Sequence, residues 1–236
     1  MKMTQWRTLH QLTFLPYFFP FNCYLVEEKD GLTLIDAGLS FCHKEIGLAV
    51  RRIGKRVNRI LITHAHPDHV GSLDVLKNEL PDVPVYMSDR EAQILRGDKS
   101  LNVDEASKPI KMAPKHVSSQ PDFLLRDGDR IGSLIAYSAP GHSPGSMAFF
   151  DTRNNSLIAG DAFQLLGGIA VSGLIKPLFP FLALGTWDAK TALASAKKLL
   201  MLQPELLAVG HGRMLAQPLQ AMDKAIKEAE KKFNTA

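Results

Sequence analysis

Ile60-Leu61-Ile62-Thr63-His64-Ala65-His66-Pro67-Asp68-His69-Val70-Gly71 is the stretch on which the reading of this sequence turns. Three histidines and an aspartate fall within six residues, directly after an apolar run and before a helical pattern. Side chains alternate across a strand, so His64 and His66, leaving a strand end, can face one ion. Pro67 then turns the chain, and Asp68 and His69 can face a second position nearby. Imidazole and carboxylate together suit zinc and other first-row divalent ions. The bland reading is a polar loop that caps the next helix, and for any one of these histidines it is the better one. For the joint pattern HxHxDH behind a strand it is much the weaker.

Three later segments repeat the arrangement. Leu134–Ser138 leads into Ala139-Pro140-Gly141-His142-Ser143-Pro144-Gly145-Ser146, Leu157–Ala159 into Gly160-Asp161, and Leu206–Val209 into Gly210-His211-Gly212. Each sets one possible ligand at the C-terminal end of an apolar run, beside glycine, which lets backbone turn tightly or approach a ligand closely. Alone, Asp161 reads equally well as a turn aspartate. In company with the other segments the ligand reading prevails.

The remaining pattern is an alternation of strands and helices. Cys23–Val26 and Leu32–Ile35 flank Glu28-Lys29-Asp30-Gly31 as a hairpin, and further strands are expected at Arg59–Ile62, Val83–Met87 and Met147–Phe150. Ser40 is expected to cap a helix with Cys42, Ile46, Ala49, Val50 and Ile53 on one stripe and Gly54 as its stop. Further helices are expected over Val70–Leu80, over Trp187–Leu202 and from Pro218 onward, the last with Leu219, Met222, Ile226, Ala229 and Phe233 on its inner face. Gly97 to Asp122 and Phe163 to Gly185 fit no element well, and long loops in a compact domain are usually covers or insertions. The mixture suggests layered sheets covered by helices.

Composition narrows the function classes. The chain has 236 residues, 45% hydrophobic and 22% charged, an ordinary globular balance within reach of one domain. Its net charge of +4 is spread along the chain with only short groups such as Arg51-Arg52 and Lys231-Lys232, so no nucleic-acid footprint is expected. Cys23 and Cys42 make no CxxC pair, and Cys23, in an apolar run, reads as a core thiol. The first residues lack the apolar stretch of a secretory signal, so a cytoplasmic location is the default expectation. Lys176, Pro177 and Pro180 interrupt the apolar stretch from Gly167 to Gly185, and no membrane span is expected. His10, His43 and His116 lie outside the motifs and read as surface or structurally satisfied histidines.

The ordered series Asp36-Ala37-Gly38, Thr63-His64-Ala65-His66-Pro67-Asp68-His69, Pro140-Gly141-His142, Gly160-Asp161 and Gly210-His211-Gly212 resembles the five motifs of the metallo-β-lactamase superfamily, over nearly the whole chain. The resemblance implies an α+β fold, an αβ/βα sandwich of two mixed sheets with helices outside, as a single domain over 1–236. It implies two divalent metal ions, zinc by default with iron or manganese as alternatives. His64, His66 and His142 would hold one, Asp68, His69 and His211 the other, and Asp161 would bridge them. Asp36 would orient a ligand imidazole.

The implied chemistry is hydrolysis by a metal-bridging hydroxide, with Asp68 as the group that orients it and shuttles a proton to the leaving group. A small ester, lactone or thioester is the leading substrate class, and the apolar stretch after Asp161 is either an acyl-pocket lining or a short helical pair on the core. Asp161 stands where some zinc β-lactamases carry a cysteine ligand, which counts against β-lactam hydrolysis. Gln164 stands where acyl-homoserine lactonases carry tyrosine, which weakens that assignment. Glyoxalase-II-like thioesterases share all the ligands but have a further helical domain, whereas one helix follows His211 here. Nuclease or phosphodiesterase activity is the alternative class, and Pro67 and the unclustered basic residues speak against it. A non-catalytic binding protein is disfavoured by the complete ligand set. The oligomeric state is open, a homodimer included.

Overall fold

The structure, a computed structural model, describes residues 1–114 and 117–234, so the expectation for His116 lies outside the described residues. The chain divides into two compact units, Met1–Asp98 with Met112–Leu125 and Lys99–Lys111 with Arg126–Ala236.

The first unit is built on a seven-stranded mixed sheet in the order β1-β2-β3-β4-β5-β6-β7. Strands β1 (Lys2–Trp6), β2 (Leu9–Phe14), β3 (Phe21–Glu27) and β4 (Leu32–Ile35) form an antiparallel meander, as the turn at Glu28–Gly31 led one to expect for its last pair. From β4 onward the neighbours β5 (Val57–Leu61), β6 (Val85–Ser88) and β7 (Phe123–Leu125) run parallel. Parallel neighbours need crossovers. Helix α1 (His43–Ile53) supplies the first, α2 (Pro67–Val70) with α3 (Leu73–Glu79) the second, and α4 (Asp89–Leu95) follows β6. Leu25, Leu34, Ile60, Leu61, Val85 and Met87 are fully buried on these strands, each contributing about 1.5–3 kcal/mol of burial.

The second unit carries a six-stranded mixed sheet in the order β15-β14-β11-β10-β9-β8. These are β8 (Arg130–Ile131), β9 (Leu134–Ser138), β10 (Met147–Asp151), β11 (Ser156–Ile158), β14 (Leu206–Ala208) and β15 (Leu215–Ala216); β11 and β14 are the parallel pair. A short ribbon of β12 (Phe163–Gln164) and β13 (Ala170–Val171) and the helix α5 (Phe181–Gly185) occupy the apolar stretch after Asp161. Ala192, Ala196 and Leu199 of α6 (Ala189–Leu200) share one buried cluster with Met222, Ile226 and Ala229 of α7 (Leu219–Asn234) and with Leu157 and Leu207 of the sheet. The expected C-terminal stripe is therefore core, except for Leu219 at its exposed start.

Three expectations need correction. The helix over Val70–Leu80 is broken at Gly71-Ser72, where a Cβ on Gly71 would stand 2.8 Å from the backbone of both Leu39 and Ser40. Close backbone packing there interrupts the helix. Ser40 is not the cap of α1: the cap position is Cys42, while Gly54 ends the helix in left-handed backbone as expected. Trp187 precedes α6, whose cap is Asp188, accepting the Thr191 N–H at 2.8 Å. Among the described residues no helix is long and apolar enough to cross a membrane.

Candidate metal centre

In the first unit, β4 and β5 lie side by side and parallel, so their C-terminal ends open at the same edge of the sheet. Asp36 follows β4 and Thr63-His64 follow β5. Asp36 takes left-handed backbone (φ 62°), and its Oδ1 accepts the Thr63 N–H at 2.8 Å. Its Oδ2 lies 2.8 Å from His69 Nδ1. Thr63 donates its hydroxyl proton to the same carboxylate (2.9 Å to Oδ2), so its oxygen accepts from His64 Nδ1 at 3.0 Å. This network sets both tautomers: His64 and His69 carry their protons on Nδ1 and present Nε2 as a lone pair. The rings of His66 and His69 stand 4.5 and 4.0 Å from that of His64, and all three are buried. Asp68 Oδ2 is 3.8 Å from His69 Nε2.

In the second unit the ligand candidates again leave strand ends. His142 follows β9, Asp161 lies in the short 3-10 turn Gly160–Ala162 after β11, and His211 follows β14. Gly210 N–H donates to Gly160 C=O at 2.9 Å, which ties the last two turns together. His142 Nδ1 lies 3.3 Å from Thr186 Oγ1 and 3.2 Å from Ser172 Oγ. Those hydroxyls donate to Leu182 C=O (2.7 Å) and Asp161 C=O (2.5 Å), so they accept from His142 Nδ1 and leave Nε2 as its lone pair. His142 Nε2 and His211 Nε2 are each 3.3 Å from the same oxygen, Asp161 Oδ2. Two imidazole nitrogens thus converge on one carboxylate oxygen, an arrangement that a proton or a metal ion between them can hold.

The donor types, imidazole and carboxylate, suit divalent metal. His64, His69 and His142 are each held through Nδ1 by a hydroxyl or carboxylate, which turns Nε2 toward the site as a metal ligand requires. Every residue expected from the sequence as a ligand is thus in one of two clusters: His64, His66, Asp68 and His69 in the first unit, His142, Asp161 and His211 in the second. His10 and His43 are satisfied elsewhere, by Glu27 (2.8 Å) and Glu79 (3.0 Å). Sequence reasoning missed the bracing residues Thr63, Ser172 and Thr186. Only Thr63, inside the motif, carried any signal.

Residues 16–211 match the family described as Metallo-beta-lactamase superfamily. The protein YobT of Bacillus subtilis (strain 168) is 53% identical over 98% of this chain and 100% of its own length. A hydroxyacylglutathione hydrolase of Bartonella quintana (strain Toulouse) is 30% identical over 62% of this chain and 49% of its own length. Among solved structures, TTHA1623 in a di-iron-bound form superposes with a TM-score of 0.65 at 30% identity, covering 89% of this chain and 96% of that one.

Proposed function

The chain belongs to the metallo-β-lactamase superfamily, and from that premise we propose that it hydrolyses a small ester, lactone or thioester with two divalent metal ions, zinc by default. The ligands in this reading are those the family resemblance implies: His64, His66 and His142 for one ion, Asp68, His69 and His211 for the other, and Asp161 for both. The observation that carries it is the convergence of His142 Nε2 and His211 Nε2 on one Asp161 oxygen, 3.3 Å from each. A carboxylate approached by two imidazoles is suited to a bridging role.

Bound ions of this kind acidify water and polarise a carbonyl, which is the chemistry that ester and thioester hydrolysis require. The chain's own groups have complementary tasks. Asp36 and Thr63 hold His69 and His64 in the metal-binding tautomer. Asp68 has the most accessible side chain of the candidate ligands, 14% exposed, and its Oδ2 would receive the proton of the attacking water and return it to the leaving group. Phe179, itself buried, packs its ring 4.9 Å from that of His211, so the surroundings of this ligand are partly apolar. The name of the Bartonella relative adds weight to a thioester.

The test is metal analysis of the purified chain combined with turnover of lactones, thioesters, β-lactams and phosphodiesters. Ester, lactone or thioester turnover is expected, abolished by chelation, restored by zinc and absent in His66→Ala. Full activity in His66→Ala would sink the metal mechanism, and turnover of phosphodiesters or β-lactams alone would replace the substrate class.

A further inference from the structure

We infer that Glu91, which lies outside the superfamily's motifs, is a positioning residue for the metal-binding turn. The inference rests on the reading of His64 and His66 as ligands and adds the group that fixes the backbone between them.

The geometry follows from two adjacent parallel strands. β5 ends in the turn that carries His64, Ala65 and His66, and its neighbour β6 ends in Ser88 at the same edge. Ser88 starts α4, its Oγ accepting the Glu91 N–H at 3.1 Å. Glu91 therefore sits in the first turn of a helix that rises beside the histidine turn. Its Oε2 accepts the Ala65 N–H at 2.7 Å, across 26 residues of sequence. Both partners are fully buried, Glu91 and Ala65 each at 0% exposure.

Ser88-Asp89-Arg90-Glu91 is also the pattern of a helix-capping box, in which the glutamate serves only its own helix. Two observations go beyond that role. Capping needs no sealing from water, and a carboxylate is rarely buried completely without a partner of high value. The Ala65 N–H belongs to the peptide that joins His64 to Ala65, the residue between the first two histidines of the motif. Fixing it fixes that peptide plane, and so restrains the short backbone from which the imidazoles of His64 and His66 leave the chain. A charge-assisted bond to a carboxylate does this more firmly than a neutral one.

The test compares zinc affinity with stability of the metal-free chain. Wild type, Glu91→Asp, Glu91→Gln and Glu91→Ala are titrated with zinc against a competing chelator, and each apo protein is melted. Glu91→Asp keeps the buried charge and withdraws the acceptor by one methylene, so it is the variant best suited to fold. We expect Glu91→Asp and Glu91→Ala to lose about 10–100-fold in zinc affinity. Glu91→Gln, whose amide oxygen still reaches Ala65 N–H, should return to within a few-fold of wild type. With cobalt in place of zinc, the visible spectrum of Glu91→Asp should change while that of Glu91→Gln stays close to wild type.

Wild-type zinc affinity in Glu91→Asp would overturn the assignment and leave Glu91 as a helix cap, whatever happened to the melting temperature. If Glu91→Ala does not fold, Glu91→Asp decides alone, and a Glu91→Asp that also fails to fold makes Glu91 a folding residue and overturns the assignment too. Failure of the wild-type chain itself to bind zinc would instead overturn the metal reading, and this assignment with it.

Discussion

Asp36 Oδ2 lies 2.8 Å from His69 Nδ1, and the aspartate reaches that contact from left-handed backbone at φ 62°. Such backbone costs a non-glycine residue roughly 1–2 kcal/mol, so its retention implies a compensating use. The use is visible in the same side chain, which takes the Thr63 N–H on one oxygen and His69 on the other. Asp36→Ala should therefore keep a folded first unit and lose about 10–100-fold in zinc affinity. Asp36→Asn, tolerant of the backbone and able to turn one oxygen to His69, should lose less. Chelator competition measures both, and equal affinity of Asp36→Ala and wild type would show that His69 needs no brace.

Burial pushes the Cys42 thiol up to about 12. It pushes Cys23 well above the usual thiol range, with the nearby Asp36 carboxylate adding to the effect. Both are free and buried. The thiolate is the reactive form, so neither should react with a disulfide reagent at pH 8 in the native protein, and both should react in denaturant. One fast-reacting thiol in the native state would contradict the burial described for these strands and turns.

Much of this architecture was legible because its ligands sit where apolar runs stop. Leu134–Ser138 is a strand with the bounds its sequence suggested, and His142, Asp161 and His211 all follow strand ends. What escaped notice was structure whose signal is not periodic. In β2, His10 and Gln11 are buried, one against Glu27 and the other against Tyr24, so Leu9–Phe14 lacks the alternation of a half-exposed strand. Glu91, Ser172 and Thr186 are single polar residues whose partners lie 26, 30 and 44 positions away, and only the folded chain pairs them. The break at Gly71 likewise depends on backbone from Leu39 and Ser40 coming close.

Glu27 links pH to stability. Hydrogen bonds from Lys55 and, second, from His10 hold its carboxyl below its ordinary value of 4.5. A depressed folded pKa stabilises the fold above the unfolded value, and the benefit is lost as pH falls through the folded one. Wild type should therefore exceed Glu27→Gln in stability from neutral pH down to about pH 4.5, by less than about 1 kcal/mol because the pair is partly exposed. The gap should close on further acidification. Urea unfolding of both proteins between pH 3 and 7 measures it, and a gap that persisted undiminished at pH 3 would be inconsistent with this linkage.

Gly141, which precedes His142, has φ 135°, and a Cβ built on it would stand 2.2 Å from Ala192 N and 2.3 Å from Ala192 Cα. The obstacle is backbone in the first turn of α6, which cannot rotate aside as a side chain can. That turn is also tied to the loop, since Asp188 N–H donates to Gly141 C=O and Trp187 N–H to His142 C=O, both at 2.9 Å. Gly54 offers an internal comparison: it too is left-handed (φ 79°), but nothing lies within 4 Å of its added Cβ. Gly54→Ala should cost only the backbone penalty, about 1 kcal/mol. Gly141→Ala should cost that and about 1–3 kcal/mol more for overpacking, seen as a melting temperature lower by roughly 2–4 °C for each kcal/mol. Because the displaced loop carries His142, zinc affinity should fall in Gly141→Ala and not in Gly54→Ala. If the two variants melted together and bound zinc alike, the close approach of the His142 loop to α6 would not be what holds this ligand in place.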